Sequence, residues 1–245
     1  MKIKKHIPNA ITCLNLLFGC FSIVYALKGN LVFASYFIAI AAIFDFLDGM
    51  AARVLKAYSA IGKELDSLAD MVSFGVAPGV IVFQLLQSSN NLPTLILYGK
   101  TNIIPFIAFL IPILSAIRLA KFNLDTRQTE SFIGLPVPAN ALFFASFPLI
   151  IIHFKEMCSC MHAYVEFFSN AYLYIVLTVI FSLLLVSNIP LFSLKIKNLK
   201  LKNNVYQYLF VFFSLILFVF FNFVAIPFII ILYIVLSLIQ NTLRK

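Results

Sequence analysis

Asp45-Phe-Leu-Asp-Gly-Met-Ala-Ala-Arg53 and, after a short gap, Gly62-Lys-Glu-Leu-Asp-Ser-Leu-Ala-Asp70 place four aspartates and an arginine inside a chain that is 62% hydrophobic. Written as a pattern the stretch is D-x2-D-G-x2-A-R-x8-G-x3-D-x3-D, filled by Asp45, Asp48, Gly49, Ala52, Arg53, Gly62, Asp66 and Asp70. Ionised side chains are costly at membrane depth, and where they persist they mark a functional site. The surrounding sequence decides what kind of site this is.

Only 11% of the 245 residues are charged, against roughly a quarter in an ordinary soluble domain, and the mean hydropathy is +1.03. Apolar runs of about 20 residues, enough to cross a bilayer, recur along the chain. The predicted fold is an all-α integral membrane bundle of about eight helices. The expected spans are 9–27, 31–56, 65–86, 103–122, 136–153, 171–186, 206–221 and 224–239. No internal repeat stands out. The basic N-terminus with its apolar run has no small-x-small cleavage site and reads as a retained first helix. A membrane domain over residues 1–192 is expected, followed over 193–245 by a basic loop and two further helices. Those last two, rich in Phe and Ile, read as lipid-embedded framework without chemistry.

The net charge of +9 is explained by orientation rather than by nucleic acid, which is not an expected partner. With both termini in the cytoplasm, all but Lys28, Lys100 and Lys155 of the 18 basic residues fall on the cytoplasmic side, as the positive-inside rule requires. Lys2, Lys4, Lys5, Arg127, the Lys195–Lys202 loop, Arg244 and Lys245 belong to that set. The aspartates then lie at the cytoplasmic ends of the second and third helices. Cys13 and Cys20 sit on an apolar helix pattern, and Cys158 and Cys160 are too close together for a relaxed disulfide, with no further ligands at zinc spacing. No metal or redox role follows for them.

On a helix, Asp45, Asp48, Gly49, Ala52 and Arg53 share one face, and Gly62, Asp66 and Asp70, each four apart, share another. Two antiparallel helices therefore bring four carboxylates to one point, with Gly49, Ala52 and Gly62 permitting close approach. Gathered carboxylates repel one another and call for protonation or cations. Oxygen ligands suit magnesium, manganese or calcium rather than zinc. Four aspartates fit a two-metal site holding a phosphoanhydride, and Arg53 adds a cation for phosphate oxygens. A buried ion-pair network is a poorer account, with one basic residue against four acids. A cation-coupled carrier is a second alternative that leaves the small-residue and arginine spacing unexplained.

The complete pattern resembles the signature of the CDP-alcohol phosphotransferases, every fixed position matching. The resemblance implies displacement of CMP from a CDP-linked lipid by an alcohol hydroxyl, with two divalent ions, Mg2+ or Mn2+. By the same resemblance Asp45, Asp48, Asp66 and Asp70 hold the metals, Asp70 is also general base, and Gly49, Arg53 and Ser59 hold the CDP portion.

Further segments narrow the acceptor: residues 8–15 (Pro-Asn-Ala-Ile-Thr-Cys-Leu-Asn), 66–78, Arg118-Leu-Ala-Lys-Phe-Asn123, Phe132-Ile-Gly-Leu-Pro-Val-Pro-Ala139 and Val186-Ser-Asn-Ile-Pro190. Together they are similar to the bacterial integral-membrane phosphatidylserine synthase branch of the family. That resemblance spans about the first six helices. It implies CDP-diacylglycerol and L-serine as substrates, a homodimer, and an inner-membrane location with the site facing the cytoplasm. Relatives using glycerol 3-phosphate share the aspartates but differ near Asn15 and after Asp70. Thr12 and Asn15 are candidates for contacting the CDP group. Arg118 is a candidate for substrate carboxylate or phosphate, its alternative being a topological charge. Ser73 is a candidate near the acceptor alcohol.

Overall fold

The structure, a computed structural model, describes residues 6–96, 101–124, 132–157, 159–192 and 204–243. Lys2, Lys4, Lys5, Lys100, Arg127, Cys158, the Lys195–Lys202 loop, Arg244 and Lys245 lie outside the described residues.

The polypeptide is helical, as expected. Helix α1 (His6–Leu27) turns into α2 (Leu31–Val54) through Gly29, whose φ of +78° is open to glycine at no steric cost. Asn30 then caps α2, its side chain accepting from the Phe33 amide at 3.3 Å. Small buried residues, Ser22 and Ala26 on α1 and Ala34 and Ala41 on α2, let the two helices approach closely. Ser22 Oγ donates across to the Ala34 carbonyl at 2.9 Å. Partway along the same pair, Phe18 stacks on Phe44 with ring centroids 5.2 Å apart.

The third span begins earlier than the sequence predicts. Helix α3 (Ala60–Asp70) starts at Ala60 rather than Leu65 because Ser59 is an N-cap, its Oγ accepting from the Gly62 amide at 3.0 Å, as N-cap serines do. Directly after Asp70 the helix widens into a π-helical turn, Met71–Val76, before α4 (Ala77–Gln87). Pro78 has no N–H and its ring displaces the carbonyl four residues back. The Ala77 amide donates instead to the Val72 carbonyl, five residues back.

A 3₁₀ turn, Ile104–Phe109, leads into α5 (Leu110–Leu124), and α6 (Val137–Met157) follows. The start of α6 is pinned to the end of a later helix. Phe132–Ile133 (β1) pairs antiparallel with Pro190–Leu191 (β2), and the Leu135 amide donates to the Leu184 carbonyl at 3.0 Å. Gly134 has φ +76°, and a Cβ there would stand 2.5 Å from the Leu185 carbonyl oxygen. A short helix absent from the sequence reading, α7 (His162–Phe168), precedes α8 (Ala171–Val186) with a 45° bend between them. The core between α6 and α8 is aromatic: Phe143 stacks on Phe181 at 3.8 Å, and Phe147 meets Tyr174 edge-on at 5.5 Å.

Helices α9 (Val205–Phe221) and α10 (Ala225–Leu243) complete the chain. By length and composition, six helical stretches among the described residues are long and apolar enough to cross a membrane, or seven if the bent α7–α8 pair is one span. The 38-residue stretch Val205–Thr242 enters that count once, yet it turns back at Asn222, where φ is +48°. The rings of Phe210 and Tyr233 lie 5.7 Å apart; in one straight helix those 23 positions would span about 35 Å. Helix α9 buries no side chain among the described residues, the pattern of a lipid-facing helix. Helix α10, unlike α9, also buries polar side chains against the rest of the chain. Tyr233, Ser237 and Gln240 are buried and share a face at three- and four-residue spacing. Tyr233 donates to the Phe192 carbonyl at 2.9 Å, and Asn241 donates to the Pro190 carbonyl. That stripe docks α10 on the segment leaving α8.

Candidate active site

The two aspartate helices are held against the N-terminal turns of α1. Thr12 Oγ1 donates to Asp48 Oδ2 at 2.7 Å, with the Pro8 carbonyl a second acceptor at 3.1 Å. Asn15 Nδ2 donates to Asp70 Oδ1 at 3.3 Å. Ser73, in the π turn, donates to the Asn15 carbonyl at 2.9 Å, and Gly19 makes room for it, since a Cβ there would stand 2.8 Å from Ser73 Cα. The π turn therefore does local work: it seats the residues after Asp70 on α1 while α3 keeps Gly62, Asp66 and Asp70 in helical register.

Asp45, Asp48 and Asp66 each offer a carboxylate oxygen within 4.8 Å of the others. Asp70 stands beside this triangle, its carboxyl at hydrogen-bonding range of Asp45. Asp48 and Asp70 are 6% and 9% exposed, so neither charge is dissipated in bulk water. Asp66 Oδ1 is buried and has no hydrogen-bond partner among the described residues. An orphaned carboxylate oxygen facing two more carboxylates is costly unless a cation is present. Hard oxygen donors in this number suit a divalent magnesium- or manganese-like ion, so the residues present fit the metal site expected from the pattern.

Two corners of the triangle, Asp48 and Asp66, line a cleft of about 490 Å³ together with Thr12, Gly49, Arg53, Ser59 and Lys63, among others, whereas Asp45, Asp70 and Arg118 do not line it. Gly49 presents open space, the nearest atom to a Cβ there being an Arg53 guanidinium nitrogen at 4.0 Å. Arg53 is exposed, and its Nε donates to the Gly49 carbonyl at 2.9 Å, which leaves its terminal nitrogens for an anion. The candidates Asp48, Gly49, Arg53, Ser59, Asp66 and Thr12 thus share one wall system. Asn15 and Ser73 do not line it: both are fully buried and act on Asp70 and on the α1 backbone.

Arg118, on α5, is 8% exposed. Its guanidinium lies 5.1 Å from the Phe122 ring centroid, and it stands within electrostatic range of Asp70 and of the Tyr233 hydroxyl. Several site residues escape a sequence reading. Asn9 and Tyr58 line the cleft, as does Lys63, whose Nζ donates to the Asn123 carbonyl at 2.9 Å. Lys63 has the signal of lying between two motif positions, Gly62 and Asp66. Tyr233 has only its polarity within an apolar helix.

Comparison with known proteins agrees with this geometry. The family model for CDP-alcohol phosphatidyltransferase matches residues 5–239. The chain belongs to that family. Among curated members, it is 38% identical over 149 residues to the CDP-diacylglycerol–serine O-phosphatidyltransferase of Bacillus subtilis (strain 168), covering 61% of this chain and 76% of that protein. It is 37% identical over 137 residues to the enzyme of the same name from Helicobacter pylori (strain J99), covering 55% of this chain and 54% of that one. An archaetidylserine synthase from Methanothermobacter thermautotrophicus is 32% identical over 145 residues, 58% of each chain. The matched region thus spans three quarters of the first relative and about half of the other two.

Proposed function

We propose that this family member transfers the phosphatidyl group of CDP-diacylglycerol to L-serine, giving phosphatidylserine and CMP. The observation that carries the reading is the Asp45–Asp48–Asp66 triangle with Asp70 beside it, Asp48 and Asp66 lining a cleft that also holds Arg53. The names of the similar proteins support serine as the acceptor. Asp45, Asp48, Asp66 and Asp70 would hold two divalent ions, Mg2+ or Mn2+. The chemistry such ions supply when bound is neutralisation of the carboxylates and of the pyrophosphate.

The chain's own residues then divide the work. Gly49 leaves space for the CDP group, and Arg53 pairs with pyrophosphate oxygens. Asp70 accepts the serine hydroxyl proton as that oxygen attacks the phosphorus carrying diacylglycerol. The new ester P–O bond forms, the P–O bond to CMP breaks, and CMP leaves with the electron pair. Thr12 and Asn15 orient Asp48 and Asp70. Arg118, near Asp70, would hold the serine carboxylate.

The same proposal includes an inner-membrane enzyme with eight crossings, the α9–α10 hairpin supplying two of them. Both termini and the aspartate cleft would face the cytoplasm, and the protein would be a homodimer. The distribution of lysines and arginines supports the orientation.

Purified protein given CDP-diacylglycerol, Mg2+ or Mn2+, and labelled L-serine, glycerol 3-phosphate or inositol phosphate tests the acceptor. The expected result is CMP release with labelled phosphatidylserine from serine alone. Label incorporated from glycerol 3-phosphate instead would contradict serine. No CMP release with any acceptor, accompanied by ion transport in vesicles, would replace the enzyme with a carrier.

A further inference from the structure

A second cavity, about 560 Å³, lies where the loop after α1, the end of α4, the end of α6 and the start of α8 converge. Lys28 and Lys155 both line it, and no aspartate or glutamate does. Neither lysine side chain has a hydrogen bond or ion pair to a described residue, and both are exposed. Thr12, at the aspartates, and Lys28 are 16 positions apart on or just beyond α1, which sets the two sites about 24 Å apart along that helix. That is close to the roughly 30 Å of a bilayer's hydrocarbon core. The cavity therefore opens at the membrane face opposite the aspartates.

Lysines are disfavoured on the face opposite the basic loops, and only three of the 18 basic residues are expected there. Two of those three converge on this one cavity. Its deeper wall is apolar, with Leu85 and Ile151 among the lining residues. Ser88 and Ser89 also line it, but both hydroxyls donate to the Leu85 carbonyl, at 3.1 and 2.8 Å. The two ammonium groups are then the charged donors of this lining, beside the neutral side chains of Asn30 and Ser169, and the Ser88 and Ser89 oxygens add acceptors. Two cations above an apolar wall at a bilayer surface match one chemistry: a phosphodiester with acyl chains attached.

We propose that this cavity binds the head group of an anionic phospholipid from the leaflet opposite the catalytic cleft. Lys28 and Lys155 pair with the phosphate while the Leu85–Ile151 wall takes the first part of an acyl chain. Basic pockets between transmembrane helices bind anionic head groups in this way.

The test is native mass spectrometry of the full chain in detergent, titrated with phosphatidylglycerol, beside a variant carrying Lys28→Gln and Lys155→Gln. A lysine near an anionic head group contributes about fivefold to binding, so the double variant should bind about 25-fold more weakly. Lys121→Gln, on the exposed side of α5, should bind as wild type does. The pair Lys28→Arg with Lys155→Arg keeps both charges and should restore binding, separating charge from folding; melting curves check that each variant is folded. Equal binding by wild type and the Gln double variant would overturn the proposal. So would inorganic phosphate competing as effectively as the phospholipid, which would make the cavity a free-phosphate site.

Discussion

Two cavities of similar size, about 490 and 560 Å³, sit at opposite ends of the same bundle and are built in opposite ways. At the acidic end two of the carboxylates are sunk into the protein and held by it: Thr12 fixes Asp48 and Asn15 fixes Asp70. In the basic cavity the lysines are exposed and unheld. Preorganised carboxylates in a dry setting cost stability, and that cost is justified where charge must be met in a reaction's transition state. Exposed ammonium groups on flexible stems cost little and serve reversible pairing with a head group. The contrast separates a site for chemistry from a site for attachment.

Variants can break that contrast. Asp70→Asn should have the largest effect, lowering serine-dependent CMP release by about 10² to 10⁴, the usual contribution of a general base. The protein should still insert and melt normally, since Asn15 can still donate to the new amide oxygen; near-normal turnover would remove Asp70 from its role. Thr12→Val should cost about 10- to 100-fold in metal affinity or activity, as loss of a partner behind a metal ligand does. Mn2+ titration followed by electron paramagnetic resonance would show whether the loss lies in metal binding. Arg118→Gln should raise KM for serine about tenfold with a smaller change in kcat, consistent with losing one charged hydrogen bond; an unchanged KM would return Arg118 to a topological role. The Lys28→Gln, Lys155→Gln pair should leave CMP release unchanged within about twofold, because Lys28 lies about 24 Å from Thr12 along α1 and Lys155 lines the same cavity as Lys28.

The acidic end was legible from sequence because its chemistry is written in helical spacing. Asp45 to Arg53 and Gly62 to Asp70 each lie on one regular helix, so a pattern of threes and fours translates directly into a face. What such spacing cannot carry is how helices dock. The π turn after Asp70 depends on Pro78 and on room made by Gly19, fifty-one positions before Asp70. Asn15 and Ser73 look like polar candidates for substrate; the Ser73 hydroxyl and the Asn15 amide nitrogen bond within the protein, while Asn15 Oδ1 is buried without a partner among the described residues. The β1–β2 pair is two residues long on each strand and leaves no periodic trace. Helix α10 is a related case: Tyr233, Ser237 and Gln240 are a small minority in an apolar helix, and Tyr233 and Ser237 bond to Phe192. The basic cavity is assembled from four separate helix ends, so Lys28 and Lys155 read singly as stray charges.

The central claim, that the aspartate cluster works through divalent metal to release CMP, is tested most directly by chelation and readdition. Purified protein is stripped with EDTA and assayed for serine-dependent CMP release from CDP-diacylglycerol before and after Mg2+ or Mn2+ is restored, beside Asp66→Asn. The account predicts no release from stripped wild type, recovery on adding the ion, and no recovery for Asp66→Asn at the same ion concentration. Release by the stripped protein, or recovery by Asp66→Asn equal to wild type, would contradict it.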